Sequence, residues 1–279
     1  MPSFPIFSRN GAILPMEQAV VSLANVEYGY GFGVYETIRV SKGIPYFVEE
    51  HAARLLRSAA IIGLEHSLAQ EQVEEWVRTL AAAVTEPSFN LKILLIGAKS
   101  PEGTTLSILP LSPSFPDRKW YRDGIATITA EYERLLPGAK TLNMLQSYLA
   151  YAKARKEGCY DALLIDRAGC AREGTRTNLF ALDGETLTTP PAEHVLEGVS
   201  RKLTLLVARR LGYAVREVPL PMREFLSREA AFLTSTSTRI LPIRSVDGRE
   251  FPPVPDALRR LMASYEDVLE TCGGTFPEA

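Results

Sequence analysis

The sequence predicts two lobes of mixed α/β or α+β build. Strand-like and helix-like patterns alternate over roughly the first 110 residues. A polar, proline-bearing stretch, SPSFPDRKWYRDG, breaks the alternation at 112–124, and a second alternation then runs to a final helix. The expected division is a small N-terminal α/β domain over 1–115, an interdomain linker over 116–123 and a large C-terminal domain over 124–279.

Each element follows from local pattern. GVYETIRV (33–40) alternates and is β-branched, Ser41-Lys42-Gly43 reads as a turn, and IPYFV completes a hairpin. VEEHAARLLRSAAIIG (48–63) places Ala52, Leu55, Leu56, Ala59 and Ile62 at helical spacing and stops at Gly63. A second helix, about 70–84, carries Val73, Trp76, Val77, Leu80 and Val84. LKILLIG (91–97) predicts a buried strand and TLSILPL (105–111) a half-buried one. Beyond the linker, GIATITAEYE predicts a strand and Pro137-Gly138 a turn. The next helix, from about 142 to 157, is expected to bury Leu142, Leu145, Leu149 and Ala152 and to end at Gly158. YDALLID, NLFAL and TLTTP predict short strands, SRKLTLLVARRLG (200–212) a helix and AVREVPL a strand. AAFLTSTS is a strand entering a hydroxyl-rich turn, RILPIRSVDG starts another, and the last helix spans about 255–270.

Composition excludes several classes. With 46% hydrophobic and 23% charged residues the chain is an ordinary globular one, and a net charge of −2 gives no basis for nucleic-acid or anionic-membrane binding. No apolar run reaches the roughly 18–20 residues of a membrane helix. MPSFPIFSRNG lacks a charged region followed by an apolar one, so no secretory signal is expected there. Cys159, Cys170 and Cys272 are few, odd in number and widely spaced, as reduced thiols are, and His51, His66 and His194 are too scattered to suggest a metal. These features predict a soluble, cytoplasmic protein.

Several short stretches carry candidate chemistry, each with a plainer alternative. Lys140, in GAKTLN, is either a solvated residue at a helix entrance or a reactive amine. Gly198-Val199-Ser200 opens a helix, where unpaired N–H groups favour an anion, although Ser200 could simply cap it. LTSTSTRI (233–240) could ring a phosphate or decorate a turn. Glu173, near Arg172 and Arg176, is either in a surface ion pair or aimed at a cationic ring nitrogen. Arg54 shares a helix face with His51 and is either solvated or a bidentate phosphate grip. YGYGFGVYE (28–36) precedes a strand instead of joining a strand to a helix, so it fails the dinucleotide and P-loop templates.

Taken together, these stretches resemble the fold-type IV pyridoxal-phosphate enzymes: branched-chain and D-amino-acid aminotransferases and 4-amino-4-deoxychorismate lyase. HAARL resembles the phosphate-arginine helix, AKTLN the lysine segment, and GCYDALLIDRAGCAREGTRTNLFAL the stretch carrying the pyridine-nitrogen glutamate. TPPAEHVLEGVSR and FLTSTSTRILPI resemble the two phosphate-binding turns, so the likeness runs from about 8 to 245. The resemblance implies a D-amino-acid aminotransferase-like fold, with the C-terminal domain binding pyridoxal 5'-phosphate. It implies Lys140 as the Schiff-base lysine and Glu173 as partner of the pyridine nitrogen. Arg54, Val199, Ser200 and Thr236 match the phosphate cup, and Leu196 the apolar residue packed on the ring. The freed lysine amine would move a proton between the substrate α-carbon and the cofactor's C4′.

On the substrate side, Tyr30, Tyr35 and Arg39 resemble the branched-chain pocket strand, and Ser237 is implied as a further contact. An arginine that both aminotransferase types carry around LKILLIGAKS is replaced here, near Leu94 to Ala98, by apolar or small residues. Arg176 is the expected substitute anchor for the substrate carboxylate, with Lys99 and Arg239 as weaker candidates. The resemblance thus implies an aminotransferase moving the amino group of a branched-chain L- or D-amino acid, or a related amine, to a 2-oxo acid. It also implies a homodimer with its active site at the subunit interface. The lyase, eliminating pyruvate to give p-aminobenzoate, is the alternative. A cofactor-free binding homologue is a second, against which Lys140, Glu173 and Arg54 all stand.

Overall fold

The computed structural model describes residues 4–113 and 115–278, which form two compact units. The first contains residues 4–113 with Ala139–Asn143 and Cys272–Glu278, and the second Phe115–Gly138 with Met144–Thr271.

In the first unit β1 (Ile6–Arg9), β2 (Ala12–Pro15), β3 (Gly33–Ser41), β4 (Ile44–Pro45), β5 (Ser88–Ile96) and β6 (Thr105–Leu111) form one antiparallel sheet, ordered β2-β1-β6-β5-β3-β4. Short α1 (Val26–Gly29) leads into β3, while α2 (Val48–Ile61) and α3 (Gln70–Ala83) share a core with the sheet. Val34, Ile38, Leu91, Ile93 and Leu95 meet Leu55 and Ala59 of α2 and Val73, Val77 and Leu80 of α3. Alternation on the strands and three-and-four spacing on the helices bring these residues to one apolar layer. The Lys140 segment is stitched to β3: Tyr35 N donates to Lys140 O (2.9 Å), Leu142 N donates to Gly33 O (2.9 Å), and Thr141 pairs with Val34.

The second unit holds α4 (Arg118–Asp123), β7 (Ile125–Glu131), α5 (Leu145–Lys156), β8 (Asp161–Ile165), β9 (Ala171–Gly174), β10 (Asn178–Asp183) and β11 (Thr186–Thr189). After these come α6 (Val199–Arg210), β12 (Ala214–Glu217), α7 (Met222–Phe225), β13 (Ala230–Ser235), β14 (Arg239–Val246), β15 (Arg249–Glu250) and α8 (Asp256–Thr271). The sheet runs β12-β11-β10-β13-β14-β7-β8-β9, with β15 on β14. Because β9 also pairs with β10, through Glu173 and Asn178, the path β10-β13-β14-β7-β8-β9 returns to its own start.

Several elements depart from expectation. The 116–123 stretch carries a short helix that its pattern did not show: α4 occupies Arg118–Asp123, capped by Asp117 Oδ1 accepting from Lys119 N (3.0 Å) and ended by Gly124 at φ 79°. Six residues are too few to show a helical period. The helix expected from 142 begins at Leu145, and Leu145 and Leu149 are exposed while Ser147 and Ala154 are its buried positions. Apolar spacing there marks an uncovered face. The N-terminal hairpin was not foreseen, and IPYFV contributes only Ile44–Pro45 to a strand. Residues 272–278 join the first unit, where Phe47 N donates to Gly274 O and the Phe47 and Phe276 rings meet at 5.3 Å. No helix among the described residues is long and apolar enough to cross a membrane.

Phe180 on β10 stacks on Phe232 of β13 at 5.0 Å, both fully buried. Phe180→Ala is expected to cost about 3–5 kcal/mol, measured as a lowered urea midpoint with unchanged slope.

Candidate active site

Lys140 sits half-buried in the first unit on a backbone held from two sides. Besides its bonds to β3, its N–H donates to Ser58 Oγ on α2 (3.1 Å). Its Nζ lies 4.5 Å from the Tyr35 ring centre, and Lys92 Nζ lies 3.7 Å from the same ring. The main chain at Lys140 is thus fixed by β3 on one side and α2 on the other.

Arg54, expected as solvated or as a phosphate grip, is buried in an ion cluster. Its Nε donates to Glu36 Oε1 and its Nη2 to Glu36 Oε2, both at 2.7 Å, and His51 Nδ1 meets Glu36 Oε2 at 2.8 Å. Glu36, His51 and Arg54 are each nearly or fully removed from solvent. Burial alone would raise the Glu36 carboxyl, but Arg54 and His51 outweigh it and hold it far below the usual carboxylate range. For His51 burial dominates over Glu36 and lowers the pKa, which keeps the ring neutral, so that Nδ1–H is the donor. Sequence reading passed over Glu36. The available signal was a carboxylate inside an apolar strand together with His and Arg three apart on one helix face.

In the second unit a chain of contacts runs from Glu173 to the start of α6. Glu173 on β9 pairs with Asn178 on β10, and Asn178 pairs with Thr234 on β13. Leu196 N donates to Glu173 Oε2 (3.3 Å) and Asn178 Nδ2 donates to Leu196 O (2.7 Å), so both strands grip the turn before α6. Gly198 follows; a Cβ there would lie 2.1 Å from Asn178 Oδ1. The helix that starts here has no side-chain cap and no acidic residue in its first turn. Its first N–H groups therefore face outward with the positive end of the helix dipole. Thr234 Oγ1 is buried without a hydrogen-bond partner, and Ser235 and Thr238 hydroxyls meet at 2.8 Å in the turn holding Thr236 and Ser237. These groups fit an anionic, phosphate-like ligand.

The expected partners of Glu173 differ. Arg172 pairs with Asp166, while Arg134 Nε lies 3.4 Å from Glu173 Oε1. Behind Glu173, Asp161 accepts from the Thr175 hydroxyl (2.6 Å), the Thr177 hydroxyl (3.2 Å) and Ala162 N (2.9 Å). Burial pushes this carboxyl up against those bonds. Gly174 has no room for a side chain, since a Cβ would lie 2.1 Å from Thr177 Oγ1. Asn178, Asp161 and Arg134 were thus missed, because each acts through a partner distant in sequence. Leu196, Val199 and Ser200 are buried, and Thr236 and Ser237 half-buried. Tyr35 and Arg39 are buried on β3, whereas Tyr30 is exposed at the end of α1. Arg176 is exposed with its guanidinium 4.1 Å over the Tyr151 ring, Arg239 is paired with Glu266, and Lys99 is exposed.

Comparison with known proteins identifies a class IV aminotransferase. The Amino-transferase class IV family model matches residues 33–246, and the chain belongs to that family. It is 29% identical to a D-alanine aminotransferase of Bacillus licheniformis over 86% of this chain and 88% of that one. It is also 29% identical to a putative branched-chain-amino-acid aminotransferase of Methanocaldococcus jannaschii, over 93% and 94%. Among solved structures, the branched-chain amino acid aminotransferase from Thermobaculum terrenum in its PLP form matches at TM-score 0.85 and 25% identity, covering 96% of this chain and 95% of that one.

Two outcomes follow from the geometry. Gly198→Ala forces its methyl into Asn178 and is expected to cost roughly 1–3 kcal/mol, read from urea midpoints. The lowered His51 and Glu36 pKa values share one sign: the unfolded chain takes up protons that the folded chain refuses. Stability is then full above the ordinary histidine value of about 6.5 and falls below it, with a further loss below about 4.3 from Glu36. A urea midpoint that does not move between about pH 8 and about pH 5 would refute the assignment.

Proposed function

We propose that the chain is a homodimeric, cytoplasmic aminotransferase that uses pyridoxal 5'-phosphate. It would move the amino group of a branched-chain L-amino acid, a D-amino acid or a related primary amine to a 2-oxo acid. The observation that carries the reading is Lys140: a half-buried amine beside Tyr35, on a main chain pinned by Ser58 and β3. Bound cofactor would supply an aldehyde for that amine and a ring that accepts electrons. Lys140 would hold the cofactor, and its amine would then move a proton at the substrate α-carbon. Glu173, an acceptor near the base of the α6 turn, keeps the pyridine nitrogen protonated. Val199 and Ser200 would offer N–H groups to the phosphate, Thr236 lies in the hydroxyl turn, and Arg54 would add a guanidinium contact. Leu196, buried before α6, would pack on the ring.

Tyr30, Tyr35, Arg39, Arg176 and Ser237 are assigned to the substrate, with Arg176 as carboxylate anchor. The relatives named for D-alanine and for branched-chain amino acids support both donor classes. Dimerisation is supported by the uncovered apolar face of α5, where Leu145, Tyr148 and Leu149 are exposed, with Leu135 and Leu136 exposed in the preceding loop. Three free cysteines, Cys159, Cys170 and Cys272, suit a reducing compartment.

Half-reactions of cofactor-loaded protein with L-amino acids, D-amino acids and simple amines identify the donor through loss of the cofactor's visible absorbance. Lys140→Ala is expected to lower amino transfer by at least about 10²–10⁴-fold and to remove that absorbance. Full activity in this variant would sink the reading. Pyruvate and p-aminobenzoate from aminodeoxychorismate, without keto-acid-dependent transfer, would establish the lyase instead.

A further inference from the structure

Glu36 has no role in the chemistry assigned above, yet its placement is costly. It lies on β3 between Val34 and Ile38, opposite Ile93 of β5, and is fully buried with all three neighbours. A carboxylate in such a layer must be matched by donors. Arg54 supplies two in parallel and His51 a third, all between 2.7 and 2.8 Å. A buried ion pair is in general replaceable by apolar residues of similar volume with little loss of stability. Stability alone therefore gives no reason for the cluster. What it does supply is orientation. The clamp engages the Nε and Nη2 edge of the Arg54 guanidinium, which fixes the plane and heading of the fork.

The same helix turn also registers the reactive lysine. Ser58, one turn beyond Arg54, donates to Arg54 O (2.8 Å) and accepts from Lys140 N (3.1 Å). Orienting Arg54 and seating Lys140 are thus two outputs of one face of α2.

We infer that Glu36 is the positioning residue of the phosphate grip: it locks Arg54, with His51 as its second partner, so that the arginine meets the cofactor phosphate already aimed. The inference rests on the reading of Arg54 as a phosphate contact. Loss of the lock lets the guanidinium swing in the unliganded protein, and the phosphate then has to order it.

The test compares pyridoxal phosphate with pyridoxal, which lacks the phosphate, on full-length protein freed of cofactor. Dissociation constants are taken from absorbance and tryptophan fluorescence. Glu36→Gln is expected to weaken pyridoxal phosphate by about tenfold or more, the worth of a charge-assisted hydrogen bond, and to leave pyridoxal within about twofold. Arg54→Ala should show the same selective loss. Equal weakening of both ligands by Glu36→Gln would overturn the positioning role and make Glu36 purely structural. Should that variant not fold, Glu36→Asp keeps the charge and withdraws it by one methylene. It is expected to show the selective loss, and unaltered selectivity in it would likewise overturn the role. If Arg54→Ala keeps full preference for the phosphorylated ligand, the phosphate reading of Arg54 itself falls, a result distinct from failure at Glu36 alone.

Discussion

The second unit depends on one pairing, Glu173 against Asn178, which brings β9 back to β10 and closes the strand path. From it both side chains reach the same turn, one accepting from Leu196 N and the other donating to Leu196 O. The turn is thereby set so closely that a Cβ at 198 would displace the Asn178 side chain, and α6 begins without a side-chain cap. A helix start left uncapped has unsatisfied donors, which favour an anion by about 0.3–1 kcal/mol at exposed sites and more when partly buried. Closure of the sheet and creation of an anion-accepting helix start are the same event.

The first unit shows the opposite arrangement, charge placed inside an apolar layer. Glu36 costs desolvation that Arg54 and His51 offset, and the outcome is a carboxylate held ionised beside a histidine held neutral. Lys140 then owes its position to backbone contacts with β3 and to a serine on the helix that bears Arg54.

Much of this was legible beforehand. The helical runs at 48–63, 70–84 and 200–212 were recognisable because they carry a three-and-four apolar rhythm that their cores require, and α2, α3 and α6 lie there. The same rhythm misled at 142–157, since spacing reports an apolar face and not what covers it. Lys140, Glu173 and the Gly198-Val199-Ser200 opening could be picked out because they sit in contiguous motifs. Glu36, Ser58, Asp161 and Asn178 could not, because each acts across strand pairings or helix turns with partners up to 82 residues away.

By itself, then, the sequence determined the alternating elements and the family, since these are properties of local period and contiguous pattern. Tertiary structure alone decided that 139–143 belongs with the first unit's strands and that Arg54 is clamped instead of solvated. It also decided that a side chain at 198 would press on Asn178. Those outcomes depend on which strand lies beside which, and long-range pairing is set by burial of whole faces, not by the residues that carry the chemistry.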